Sequence, residues 1–147
     1  MYRSILVVSD GSPLSEKAVK AGLRMARDFG AKVTALNVQP PYQPPIAGEV
    51  PAAFLHNPTE YDKLVREASS RILDEIAKQA AALGVPCETV SEFDHSVYKA
   101  IIRVAKTRRC DLIVMASHGY GGIKGLLLGS ETAKVLNHCQ IPVLVHR

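Results

Sequence analysis

Apolar positions along the chain alternate between two periods. Ser4-Ile5-Leu6-Val7-Val8 is a short β-branched run that stops at Ser9-Asp10-Gly11, which predicts a buried strand. Leu14, Ala18, Ala21/Gly22, Met25 and Phe29 then recur every three to four residues. With Ser12 as N-cap, Pro13 at the first helical position and Gly30 as the stop, they predict an amphipathic helix. Residues 32–38 read as a second strand. Leu64, Ala68, Ile72, Ile76, Ala80 and Leu83 mark a long second helix closed by Gly84. A mixed-polarity strand, residues 87–93, follows Pro86. A third helix, capped by Asp94 or Ser96, runs through Val97, Ile101 and Val104/Ala105. Residues 111–116 form a fourth strand, continuously apolar from Leu112 to Ala116. A fourth helix spans Ser130 to about Asn137, and residues 141–145 close the pattern as a fifth strand.

Five strands separated by helical patterns predict an α/β fold, an open five-stranded parallel sheet with helices on both faces. The continuously apolar first and fourth strands belong in the centre. The third carries Glu88, Thr89, Ser91 and Glu92, and the fifth has Pro142 near its start, so both belong at edges. The resulting order is 3-2-1-4-5. It reverses between strands one and four, and ligands of open α/β sheets bind in the crevice beyond the carboxyl ends of strands at such a reversal. Ser9-Asp10-Gly11-Ser12 and the segment from Ala116 onward must therefore line the site. Residues 1–147 read as a single domain without internal repeat or linker. Residues 39–58 hold six of the nine prolines and read as a lid-like loop or a tolerated insertion.

Composition narrows the class without changing this picture. The chain has 147 residues, 47% of them apolar, and a mean hydropathy of +0.05, which fits a globular domain. No apolar run approaches the roughly 18 residues of a membrane span. The first apolar run is too short for a signal peptide and reads as a strand. Cys87, Cys110 and Cys139 are odd in number and widely spaced, which predicts a reducing, cytoplasmic setting and neither a disulfide framework nor a zinc site. Lysine and arginine exceed aspartate and glutamate by 18 − 14 = 4. This scattered surplus permits anionic ligands but does not indicate nucleic acid.

Candidate chemistry concentrates in one segment. Residues 117–130 contain five of the ten glycines and end at a helix N-terminus. Glycine lets successive amides turn inward on an anion, and a helix N-terminus favours phosphate. Ser130 can donate its hydroxyl to a phosphate oxygen, and Lys124 can add a positive charge. The alternative is a long loop whose glycines only solve backbone geometry. A P-loop is absent because Gly125 is followed by Leu126, and the turn after strand one lacks the dinucleotide fingerprint.

At these residues the chain resembles the universal stress protein family. The nucleotide-binding branch of that family carries G-x2-G-x9-G-[S/T] after strand four, an aspartate ending strand one, and a last strand like Pro142-Val143-Leu144-Val145. Here the counterpart is Ala116-x2-Gly119-x9-Gly129-Ser130, with Asp10 in place. The resemblance spans the chain and implies an adenine nucleotide alpha hydrolase-like fold that binds ATP, or AMP or ADP, with or without Mg2+. It places Val8, Ser9 and Val38 around the adenine, Asp10 at the ribose hydroxyls or a cation, and Met115 and Ala116 beneath the sugar. Gly119, Gly129, Ser130 and Thr132 would receive the phosphates. It further implies a homodimer through the last strand, an apolar edge that needs covering, and a stress or signalling module with at most slow ATP hydrolysis. The other reading it leaves is a non-nucleotide member acting through a protein partner. Two positions depart from the pattern. Ala116 replaces the first glycine and would be strained if φ were positive. Glu131 stands where an aliphatic residue is common, and would repel phosphates unless it faces away or holds a cation.

Other chemistries are poorer fits. Asp10 can cap the first helix as well as meet a ligand. His118 has no titratable partner implied by the sequence, and His95, His118, His138 and Cys139 lack metal-ligand spacing. Ser117 sits in half of a nucleophile elbow, but Glu131 is the only acid that follows it, so the acid–histidine order of a hydrolase is missing.

Overall fold

A computed structural model describes residues 1–43, 57–120 and 128–147. Strands β1 (Ser4–Val8), β2 (Lys32–Gln39), β3 (Cys87–Phe93), β4 (Leu112–Ala116) and β5 (Val143–His146) alternate with helices α1 (Pro13–Phe29), α2 (Pro58–Ala82), α3 (Val97–Thr107) and α4 (Ser130–His138). The sheet order is β3-β2-β1-β4-β5, every neighbouring pair is parallel, and it agrees with the order expected from strand polarity.

Alternation along the strands divides the core in two. Ile5 and Val7 of β1, with Val33 and Val114, pack against Val19 and Leu23 of α1 and Leu73 and Ile76 of α2. Leu6, Leu36 and Ile113 face the other way, onto Ile101 and Val104 of α3 and Val135 of α4. Each face of the sheet therefore carries two helices. The α1 N-cap is Ser12, whose Oγ accepts from the Ser15 amide at 3.3 Å. Gly30 and Gly84 take φ values of 65° and 67°, the left-handed turn that ends a helix at low cost.

Several boundaries differ from the sequence expectation, among them the start of β4, at Leu112 in place of Asp111. Helix α2 begins at Pro58, well ahead of Leu64, because Asn57 Oδ1 caps the Glu60 amide at 2.8 Å; its first turns are polar and carry no apolar period. Strand β2 runs one residue further, to Gln39, whose carbonyl accepts from the Asp94 amide. Strand β5 starts after Pro142, which lacks an N–H but still accepts from the Ile113 amide at 2.9 Å, and extends to His146. Most of the proline-rich segment, and Lys124, lie outside the described residues.

Candidate functional site

Beyond the carboxyl ends of β1 and β4 lies a cleft of about 440 Å³. Nine of the expected site residues line it: Val8 and Asp10 after β1, Val38 on β2, Met115 and Ala116 on β4, and Gly119, Gly129, Ser130 and Thr132 around the start of α4. Ser9 is the exception. Its amide donates to the Leu36 carbonyl at 3.0 Å, its carbonyl accepts from Asn37 Nδ2 at 2.9 Å, and its hydroxyl lies 3.1 Å from Ser15 Oγ. It lines a smaller cleft of about 250 Å³ together with α1 and α2 residues.

Asp10 joins the two sides of the crevice. Its Oδ1 accepts from the Ser12 amide at 2.9 Å, so it shapes the turn into α1 while Ser12 provides the cap. Its Oδ2 accepts from the Tyr120 amide at 3.0 Å, and the Tyr120 hydroxyl donates to the Gly11 carbonyl at 2.9 Å. Gly119 packs so closely on this carboxylate that a Cβ there would overlap Oδ2. Burial raises the Asp10 pKa, but hydrogen bonds from Ser12 and Tyr120 outweigh it and hold the carboxyl below the usual range. A depressed pKa contributes stability that is fully present above the ordinary value of about 3.9 and is lost as pH falls through the folded-state value. Stability should therefore decline below about pH 4 in the wild type and decline less in Asp10→Asn, measured as urea midpoints across pH 2.5–6. Parallel curves would remove Asp10 from this role.

The two departures from the family pattern resolve locally. Arg109 is the only described non-glycine residue with positive φ, so Ala116 is an ordinary strand residue without strain. Glu131 turns toward α3: its Oε2 accepts from the Tyr98 amide at 2.9 Å, and Lys134 Nζ donates to Oε1 at 3.3 Å. It caps α3, whose own Ser96 makes no side-chain cap bond. The N-terminus of α4 follows Gly129, which likewise supplies no side-chain cap. A Cβ on Gly129 would lie 3.2 Å from the Ser117 carbonyl and 3.3 Å from His118 Cα. Thr132 Oγ1 donates to the Ala116 carbonyl at 2.9 Å and anchors α4 to β4. Ser117 is buried. His118 Nδ1 lies 3.4 Å from the Gly119 carbonyl. Among the described residues no group of three metal-ligating side chains converges.

Sequence reasoning missed several wall residues. Val97 and Ile101 of α3 enter the cleft with Ser15 of α1 and Tyr120. Ser15 is legible in hindsight from its spacing to Ser12. The Tyr120 contact spans 110 residues and leaves no local signal. Buried Asn37, which holds Ser9, was also missed.

This architecture is shared with known proteins. Residues 1–147 match the universal stress protein family. Universal stress protein YxiE of Bacillus subtilis is 30% identical over 149 residues, covering 100% of both chains. The solved structure of MJ0577 from Methanocaldococcus jannaschii superposes with a TM-score of 0.77 at 26% identity, covering 99% of this chain and 96% of that one. A universal stress protein in complex with cAMP has a TM-score of 0.71 at 26% identity, with 99% and 97% covered. With residues 1–147 matched by the family as a whole, the chain belongs to the universal stress protein family.

Proposed function

We propose that the protein binds an adenine nucleotide in the β1/β4 cleft and acts in the cytoplasm as a stress-response or signalling module. The observation that carries this reading is the backbone of Val38. Even-numbered residues of β2 turn their N–H and C=O toward β1, as the Lys32 amide to Arg3 and the Leu36 carbonyl to Ser9 demonstrate. At Val38 no β1 partner follows, because β1 has ended and Asn37 Nδ2 bonds the Ser9 carbonyl. A donor and an acceptor side by side match N1 and N6 of adenine, with Val8, Met115 and Ile101 as apolar walls for the ring. In this reading Asp10 accepts from ribose hydroxyls, and the first-turn amides of α4, which lack a side-chain cap, receive a phosphate with Ser130. The cAMP-bound relative supports the same reading. Among the described residues no hydrogen bond pairs an acid with His118, and the reading includes at most slow hydrolysis of ATP. The test is direct. The denatured protein should release adenine nucleotide, or the empty protein should bind AMP or ATP in calorimetry; an empty protein that binds neither refutes the proposal.

The reading includes a homodimer through β5. The Pro142 carbonyl accepts from the Ile113 amide of β4 and the His146 carbonyl from the Ser117 amide just after it, so strand parity turns the N–H groups of Val143 and Val145 outward along an open edge. Val145→Pro removes one outward donor and leaves the β4 ladder intact. It should convert a dimer to a monomer in sedimentation equilibrium; a dimer that persists would place the interface elsewhere.

A further inference from the structure

Helix α3 lends the cleft one wall, through Val97 in its first turn and Ile101 one turn on. The chain leading into α3 does not hold that first turn. Ser96 at the N-cap makes no side-chain bond to the helix, and its own amide is taken by Asp94 Oδ1 at 2.8 Å. An N-cap side chain ordinarily satisfies the amide of the second or third helical residue. Here the second is Tyr98, and its N–H donates to Glu131 Oε2 at 2.9 Å, from 33 residues away on α4. The start of α4 is itself bound to the end of β4 on both sides of Glu131. The Gly129 amide donates to the Ser117 carbonyl at 2.6 Å, and Thr132 Oγ1 to the Ala116 carbonyl at 2.9 Å. Two further residues of α4 reach Tyr98: Lys134 Nζ lies 5.7 Å from its ring centroid, and the His138 ring lies 5.3 Å away. All these contacts join α4 to the residue directly after Val97.

Resting on the adenine-nucleotide reading, we propose that Glu131 is a positioning residue for the base, fixing the Val97 and Ile101 wall of α3 relative to the Met115 and Ala116 wall of β4. It does so as a hydrogen-bond acceptor, by closing the first turn of α3 from the start of α4. Helix ends that lack such a bond open at a free-energy cost near zero. An open first turn carries Val97 out of the wall, and affinity then falls with the fraction of molecules that keep the wall in place.

The experiment is calorimetric titration of the full chain with AMP and with adenosine, which has the base and ribose but no phosphate. In Glu131→Ala both affinities should fall by a common factor, about three- to tenfold. Glu131→Gln keeps an oxygen that accepts from the Tyr98 N–H, and should bind both ligands within about twofold of the wild type. Charge alone would act differently, because removing a carboxylate does not weaken the binding of an anion and leaves uncharged adenosine unaffected. Unchanged affinities in Glu131→Ala, a loss confined to AMP, or an equal loss in Glu131→Gln would overturn the inference while leaving the adenine site standing. A wild type that binds neither ligand would instead overturn the adenine reading, and the positioning role with it.

Discussion

Gly119→Val is expected to abolish nucleotide binding while the far-UV spectrum stays native. Gly119 does not occupy the left-handed region, so its backbone accepts a side chain and the obstacle is space. A Cβ would overlap Asp10 Oδ2. Either the carboxylate gives up its bonds to the Ser12 and Tyr120 amides, or the turn after β4 moves away from β1. Both displace groups to which the proposed nucleotide site assigns the ribose and the phosphate. A loss of at least about a hundredfold in affinity, roughly 2.8 kcal/mol, is expected, with a stability cost of about 1–3 kcal/mol for the overpacking. Gly119→Ala should show the same loss in weaker form. Wild-type affinity in Gly119→Val would mean that the nucleotide binds away from this cleft.

The largest effect on stability is expected at Gly22, on the face of α1 that meets the sheet. A Cβ there would stand 2.6 Å from Val7 Cγ1 and 3.5 Å from Val114, both fully buried. Val7 and Val114 belong to the two strands that frame the crevice, so the missing side chain lets α1 lie close over them. Gly22→Val gains a few tenths of a kcal/mol in helix propensity but should cost about 3 kcal/mol in overpacking. Its urea midpoint should fall by about 1–2 M with the slope of the transition unchanged. Below that midpoint nucleotide should still bind, since none of the cleft residues is altered. A shift under about 0.3 M would show that the helix simply rides outward.

Much of this architecture was legible locally. A run such as Ile5 to Val8 can be satisfied only by burial on both faces, and a run such as Cys87–Phe93, with glutamates at positions 88 and 92, only at an edge. Those two constraints order the sheet, and the sheet order locates the crevice. The sheet order also pointed to Gly119, just beyond the end of β4, while Gly129 came from the resemblance to the family. The start of α2 was not legible, since Asn57 and Pro58 cap a turn whose side chains are solvated. Nor was the position of Ser9. Adjacent residues at a strand end face opposite sides of the sheet, and Val8 took the side of the cleft.

By itself, then, the sequence determined the element order, the strand arrangement and the segments that meet at the crevice, because burial periods and helix caps are short-range properties. Only the tertiary structure decided what the side chains do there. Asp10 could be a cap or a ligand group until Tyr120, 110 residues away, closed on its second oxygen. Ala116 could be strained until its strand conformation excluded a positive φ. Glu131 could be a repulsive stray until the α3 N-terminus claimed it. Each of these outcomes depends on a partner brought close by the parallel crossovers of the fold. The chain around each residue carries no mark of that partner, because hydrogen bonds across a crevice impose no period on the sequence.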